Sequence, residues 1–302
     1  SPWASSGGAS CIMTERTDRT GRKRGASDRN TRHSGHRSQQ RSAPARFGAK
    51  GKPPALAEHY IYGLHAAEFA LHNRSREIRA AWATENAERK LAQAFSDRQL
   101  TVQRATPLDL DKRVGGDTVH QGIVLEVAPV ATVKLADLAE RAIAKGLPIL
   151  FLDQVTDPHN VGAVLRSGAV FGLAGIVMTQ RHSPPLGGTL AKAASGALDL
   201  MPVCLVQNLA KALVELQGQS FTVIGLDGGS EHRLLEDGLA QRHGQPLVLA
   251  LGAEGRGLRE LTRQTCNELC RIGGDGPIAS LNVSNAAAIA LHLAAMQRRR
   301  SA

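Results

Sequence analysis

Three short stretches in the C-terminal half of this 302-residue chain gather side chains that could do chemistry. The first, Asp153 to Arg166, runs from an apolar strand through a polar loop into a helix, with Asn160 near the helix start and Arg166 about two turns along. An asparagine there serves as a cap or as part of a site. Arg166 falls among Gly162, Ala163, Leu165, Gly168 and Ala169, so it is expected on a small, apolar helix face. A guanidinium so placed calls for an anion such as a phosphate. The second stretch, Leu249 to Leu258, carries a buried strand into Gly252-Ala253-Glu254-Gly255-Arg256-Gly257. Glycines at a strand end let a ligand approach the backbone, and open α/β sheets bind ligands in such crevices. Glu254 is then either a cap for the next helix or a site carboxylate. The third stretch, Ile272 to Ala288, is an irregular loop delivering small polar residues to an apolar helix, for which Ser284 or Asn285 would be the N-cap. Ser280 and Asn282 have no such structural duty.

These clusters need a scaffold that brings strand ends together. From Leu147 the chain alternates short apolar runs with helical periodicity, the pattern of a buried parallel sheet in an open α/β fold. Strands are predicted at 149–153, 175–179, 222–226 and 247–251, and helices at 161–171, 188–197, 209–216, 259–265 and 285–297. Upstream, Tyr60 to His65 opens a smaller α/β unit with a helix from Ala66, a strand over 78–84, a helix over 87–95 and a strand at 122–127. The chain therefore divides into a basic tail (1–57), a small domain (58–130), a linker containing a helix (131–146) and a larger domain (147–302).

Composition bounds the partners. Aromatic residues are only 3% of the chain against 42% hydrophobic, which favours α/β layers over an aromatic-rich sandwich. Residues 1–58 hold 12 Lys/Arg and 4 Asp/Glu, or +8 of the chain's +10. With almost no periodic apolar residues this tail is expected to be disordered, and it would attract polyanions without choosing a sequence. Met13 is the expected native start, with added residues before it. Cys11, Cys204, Cys266 and Cys270 show no zinc-type spacing, so no metal is expected and the compartment is read as the reducing cytoplasm. Cys266 and Cys270, four apart, are placed on one helix face. No run approaches the ~18–20 apolar residues that span a bilayer, so no membrane role is expected.

Taken together, N-x-G-x-x-x-R (Asn160, Gly162, Arg166), L-G-x-E-G-x-G (Leu251 to Gly257) and S-L-N-V-S-x-A (Ser280 to Ala286) resemble the three motifs of the SpoU (TrmH-type) RNA ribose methyltransferases of the SPOUT superfamily. The small domain, through Tyr62-Gly63-Leu64-His65-Ala66 and His120-Gln121-Gly122-Ile123, is similar to the family's L30e-like substrate-binding domain. The resemblance covers about residues 59–298. It implies a C-terminal trefoil-knotted domain with a parallel sheet, S-adenosyl-L-methionine as methyl donor, no metal, and a homodimer with sites at its interface. Gly252, Ile272, Leu281 and Ser280 match donor-binding positions. Arg166 matches the catalytic arginine, with Asn160, Glu254 and Asn282 completing the catalytic set. The implied reaction is methylation of a guanosine ribose 2′-hydroxyl in the peptidyl-transferase region of 23S rRNA. The alternatives are a tRNA 2′-O-methyltransferase of the same family and a catalytically silent rRNA-binding assembly factor. A nicotinamide-dependent enzyme is disfavoured, because the glycine spacing is not G-x-G-x-x-G and no acid follows at the next strand end. One departure from the family pattern is Ile272-Gly273-Gly274-Asp275-Gly276 where I-P-M-x-G is usual, a more flexible donor-side loop that could bind the donor less tightly.

Overall fold

Apolar runs with β-branched residues build two sheets. The computed structural model describes residues 59–239, 244–273 and 280–301; the basic tail, Cys11 and residues 274–279 of the third cluster lie outside the described residues. The small domain contains β1 (Tyr60–Tyr62), α1 (Leu64–His72), β2 (Ile78–Ala83), α2 (Glu85–Lys90), α3 (Ala92–Arg98), β3 (Val102–Arg104), α4 (Pro107–Val114) and β4 (Ile123–Val127). Its sheet runs β1-β4-β2-β3, antiparallel except for the β2/β3 pair. The single helix predicted over 87–95 is two helices that meet at Leu91, whose buried side chain fills the joint. Asp109 and Thr106 form a capping box that starts α4, a helix the periodicity did not reveal.

The larger domain continues with α5 (Leu135–Lys145), β5 (Ile149–Asp153), α6 (Pro158–Phe171), β6 (Gly175–Thr179), α7 (Gly188–Ala193), β7 (Val203–Val206), α8 (Leu209–Gln217), β8 (Thr222–Leu226), β9 (Leu247–Gly252), α9 (Glu260–Thr265), β10 (Glu268–Cys270) and α10 (Val283–Ser301). Its six strands are all parallel in the order β10-β8-β9-β5-β6-β7. The four predicted strands form its inner part, while β7 and β10, the two edges, were not anticipated. All five residues of β5 are buried, as a sheet covered on both faces requires. The covering helix α5 lies within the stretch read as a linker; its Leu138, Ala139 and Ala142 pack with Ile149 and Phe151.

Cys266 and Cys270 do not share a helix face. Cys266 closes α9, donating to the Thr262 carbonyl, whereas Cys270 ends β10. Burial, with Asp153 nearby, pushes the Cys266 thiol up to about 11, so it stays a neutral packing group.

The two sheets with their helices share one apolar core, in which Ala66, Ala70 and Ile61 pack together with Leu190, Ala194 and Leu198. A buried ion pair sits at this joint: Arg76 Nε lies 3.3 Å from Asp199 Oδ1, which also accepts from Asn73 Nδ2 at 3.1 Å. Such a pair, removed from water, adds little net stability, because the cost of desolvating both charges offsets much of their attraction.

Candidate active site

Strands β5 and β9 are adjacent and in register, with Asp153 opposite Gly252, so the loops leaving their C-terminal ends emerge side by side. That is where the first two clusters meet. Asp153 is only 1% exposed. Its carboxylate accepts from Arg259 Nε at 2.7 Å and from the Arg259 backbone N–H at 3.1 Å. This pair, 106 residues apart in sequence, ties the end of β5 to the start of α9 and so frames the glycine loop between them. Neither residue was singled out from the sequence; the only local signal was an acid ending an otherwise apolar strand.

The glycine loop turns back on itself, with Gly257 N–H donating to the Ala253 carbonyl at 2.8 Å. A Cβ on Gly252 would lie 1.9 Å from the Gly257 carbonyl carbon, so only glycine fits. At Gly255 the backbone adopts φ +77°, the left-handed region. Glu254, at the crest, does not cap α9, whose N-cap is Arg259. It receives Asn160 Nδ2 at 3.1 Å and also Asn282 Nδ2, which donates in addition to Asn160 Oδ1 at 3.1 Å. One residue from each sequence cluster thus meets in a closed triangle.

The cap assignments also change. Asp157 caps α6 by accepting from the His159 N–H at 2.9 Å, leaving Asn160 in the first turn free to reach Glu254. Asn282, rather than Ser284 or Asn285, starts α10: its Oδ1 accepts the Ser284 N–H at 2.9 Å while its Nδ2 faces Glu254. It therefore has both a structural and a site role.

Beside the triangle lies a cleft of about 320 Å³ lined in part by Gly252, Glu254, Ile272, Ser280, Leu281 and Val283. All four donor-binding positions named from sequence border it. Apolar walls, exposed loop backbone, the two carboxylates of Asp227 and Glu254 and the two guanidiniums of Arg256 and Arg271 suit a ligand with an apolar body and ends of both charges. One of those carboxylates, Asp227, is held below the usual range by the Gly229 backbone N–H and by the Arg263 guanidinium, and so is an anion there.

Arg166 is not brought into this arrangement. The expectation that it sits on an apolar face fails: it is exposed, and among the described residues nothing pairs with its guanidinium. It lines a second groove together with Tyr62, Asp117, His159, Thr189 and Lys192, between the small domain and helices α6 and α7.

Two family models match this chain: SpoU rRNA Methylase over residues 148–292 and RNA 2′-O ribose methyltransferase substrate binding over residues 60–133. The 23S rRNA (guanosine-2′-O-)-methyltransferase RlmB of Pseudomonas putida is 37% identical over 246 residues, 79% of this chain and 96% of that protein. Its namesake in Escherichia coli is 35% identical over 243 residues, covering 79% and 98%. The chain belongs to the SpoU rRNA methylase family. Its fold is that of solved SpoU-type structures. AviRb from Streptomyces viridochromogenes in complex with AdoMet superposes with a TM-score of 0.67 at 19% identity, covering 84% of this chain and 95% of that one. An AdoMet-bound rRNA methyltransferase from Sinorhizobium meliloti gives 0.66 at 20% identity, covering 81% and 88%. In this SpoU chain, then, the two grooves fall within the matched regions. Among the described residues no helix is long and apolar enough to cross a membrane, and no group of three or more His, Cys, Asp or Glu is placed to hold a metal.

Proposed function

We propose that this protein transfers a methyl group from S-adenosyl-L-methionine to the ribose 2′-hydroxyl of a guanosine in the peptidyl-transferase region of 23S rRNA, in the cytoplasm. The observation that carries this reading is the Asn160–Glu254–Asn282 triangle on the rim of a cleft lined by Gly252, Ile272, Ser280 and Leu281. The names of the full-length relatives supply the substrate.

The donor supplies an electrophilic methyl on a sulfonium when bound in the cleft. Gly252 and the backbone at Ile272 and Leu281 would hold it, with Ser280 at its edge. Asn160 and Asn282 fix the Glu254 carboxylate, so that one acceptor stays aimed at the reacting region without reorganising. A ribose hydroxyl is a weak nucleophile at neutral pH, so placement and charge stabilisation must do most of the work. The Arg166 guanidinium stabilises the developing alkoxide and the neighbouring phosphate, while the 2′-hydroxyl proton, released as the methyl–oxygen bond forms, would pass to that phosphate and on to water.

Arg166 reaches the donor cleft in a homodimer, where one protomer's arginine meets the other's cleft. A dimer is supported by apolar side chains left exposed on two helices that pack together: Val170 of α6, 75% exposed, and Ile289 and Met296 of α10. Light scattering is expected to return twice the monomer mass, and a monomer at micromolar concentration would count against this assembly. We further read the larger domain as the trefoil knot and the smaller one as L30e-like. The chain leaves the sheet edge at β10 and returns to pack α10 on α6 and on central β9, the return a knot needs.

The reaction is tested with labelled donor and protein-free 23S rRNA, 16S rRNA and bulk tRNA, followed by mapping of 2′-O-methyl nucleotides. A single modified guanosine in the peptidyl-transferase region is expected. Label confined to tRNA would overturn the substrate, and donor binding without transfer to any RNA or ribosomal particle would point to a silent binding factor.

A further inference from the structure

The groove that holds Arg166 contains a second cation that the three motifs do not include. Lys192, on α7, donates from Nζ to the Val119 carbonyl of the small domain at 2.8 Å and lies 5.9 Å from the centre of the Tyr62 ring. The Tyr62 hydroxyl is in turn bonded to Thr189 at 3.1 Å, so the ring is a fixed wall. The loop carrying Val119 is also fixed. Gly63 N–H donates to the His120 carbonyl at 3.1 Å, Leu64 N–H to Gln121 Oε1 at 3.0 Å, and Gly122 N–H to His120 Nδ1 at 3.0 Å. His120 Nε2 then rests on Asp111 at 3.2 Å. Burial lowers the Lys192 pKa, a cost that an anion in the groove would offset.

Around this frame the groove measures about 420 Å³, within the ~300–1,000 Å³ usual for ligand sites. Arg166, Lys192 and His159 line it, together with one acid, Asp117. Val119, 64% exposed, adds an apolar edge. We infer that Lys192 is a positioning residue for substrate: it binds a backbone phosphate of single-stranded RNA next to the nucleotide addressed by Arg166, so that the groove is read by both domains at once. The inference rests on the reading above that the substrate is RNA. No role in donor binding is assigned to Lys192, since it does not border the donor cleft.

The test uses the full-length protein and a protein-free 23S rRNA transcript, with affinity measured across a salt series. Lys192→Gln keeps a hydrogen-bond donor for the Val119 carbonyl and removes the charge; Lys192→Arg keeps both. Lys192→Gln is expected to melt like the parent and to bind donor equally, yet to weaken RNA binding about tenfold. It should also flatten the slope of log affinity against log salt by about 0.7, the loss of one phosphate contact on a single strand. Lys192→Arg should restore most of the slope. The expected effect on transfer is a higher KM for RNA with kcat little changed. An unaltered salt slope in Lys192→Gln would overturn the inference, because a merely structural lysine changes melting and not counterion release. Failure of the proposed reaction would appear separately, in methyl transfer by the parent protein.

Discussion

Replacing Arg166 by alanine is expected to lower kcat for methyl transfer by about 10²–10³ while leaving donor affinity unchanged. That is the range lost when one preorganised donor to a developing oxyanion is removed. Within one protomer Arg166 lines the interdomain groove and not the cleft bordered by Gly252, Ile272 and Leu281, and in the proposed dimer it faces the acceptor hydroxyl rather than the backbone that holds the donor. Because the side chain is exposed and free of internal partners among the described residues, its removal should cost the fold little. Lysine at the same position should recover only part of the rate, since a point charge cannot reproduce a planar fork of donors. The measurement is turnover with donor and RNA both saturating, beside calorimetric donor binding; near-parental kcat would remove Arg166 from the mechanism.

The second large effect is expected at Gly252. An alanine methyl there would overlap the Gly257 backbone at 1.9 Å, and a backbone atom cannot swing aside as a side-chain tip can. The loop must move by an ångström or more, which takes Glu254 away from Asn160 and Asn282. Such misplacement costs on the order of 10² in rate. Overpacking of about 1–3 kcal/mol, at the ~2–4 °C per kcal/mol usual for a chain of this size, should lower the melting temperature by roughly 2–12 °C. Gly255 is the internal comparison: a Cβ there meets nothing within 4 Å, so Gly255→Ala carries only the strain of its left-handed backbone, about 1–2 kcal/mol. Donor titration and thermal melting of both variants decide the matter. A Gly252→Ala protein that binds donor and melts like the parent would show that the loop is not the constraint described here.

Much of this architecture could be read in the residues, for reasons that differ by element. Strands β5, β6 and β8 lie at their predicted limits because each is a short run whose inner residues are all apolar or glycine, a pattern that a sheet covered on both faces buries. The edge strand β10, by contrast, is the three residues Glu268-Leu269-Cys270, too short and too polar at its start to announce itself. Asn160, Glu254 and Asn282 were named as site residues through the resemblance of their three motifs, but that they bond to one another was not foreseen. Arg166 was misplaced because α6 was treated as one apolar face. Val161, Gly162, Val164, Leu165 and Gly168 do turn inward, but Arg166, Ala169 and Val170 are neighbours by i+3 and i+4 spacing and turn outward together. The Asp153–Arg259 pair could not be seen at all, since it joins residues that only the β5/β9 register brings together.

The double engagement of Asn282 narrows what that position can tolerate. Helix initiation alone would admit serine, threonine, aspartate or asparagine. Aspartate would set a carboxylate against Glu254, and the two hydroxyl side chains, a full bond shorter, offer no amide to bridge Glu254 and Asn160 while the helix start is being satisfied. The residue that aligns the carboxylate is thus also the residue that begins the longest helix in the larger domain. Erosion of chemistry at this position would register as erosion of the fold, and a purifying pressure on stability alone would discard most of the substitutions that abolish activity.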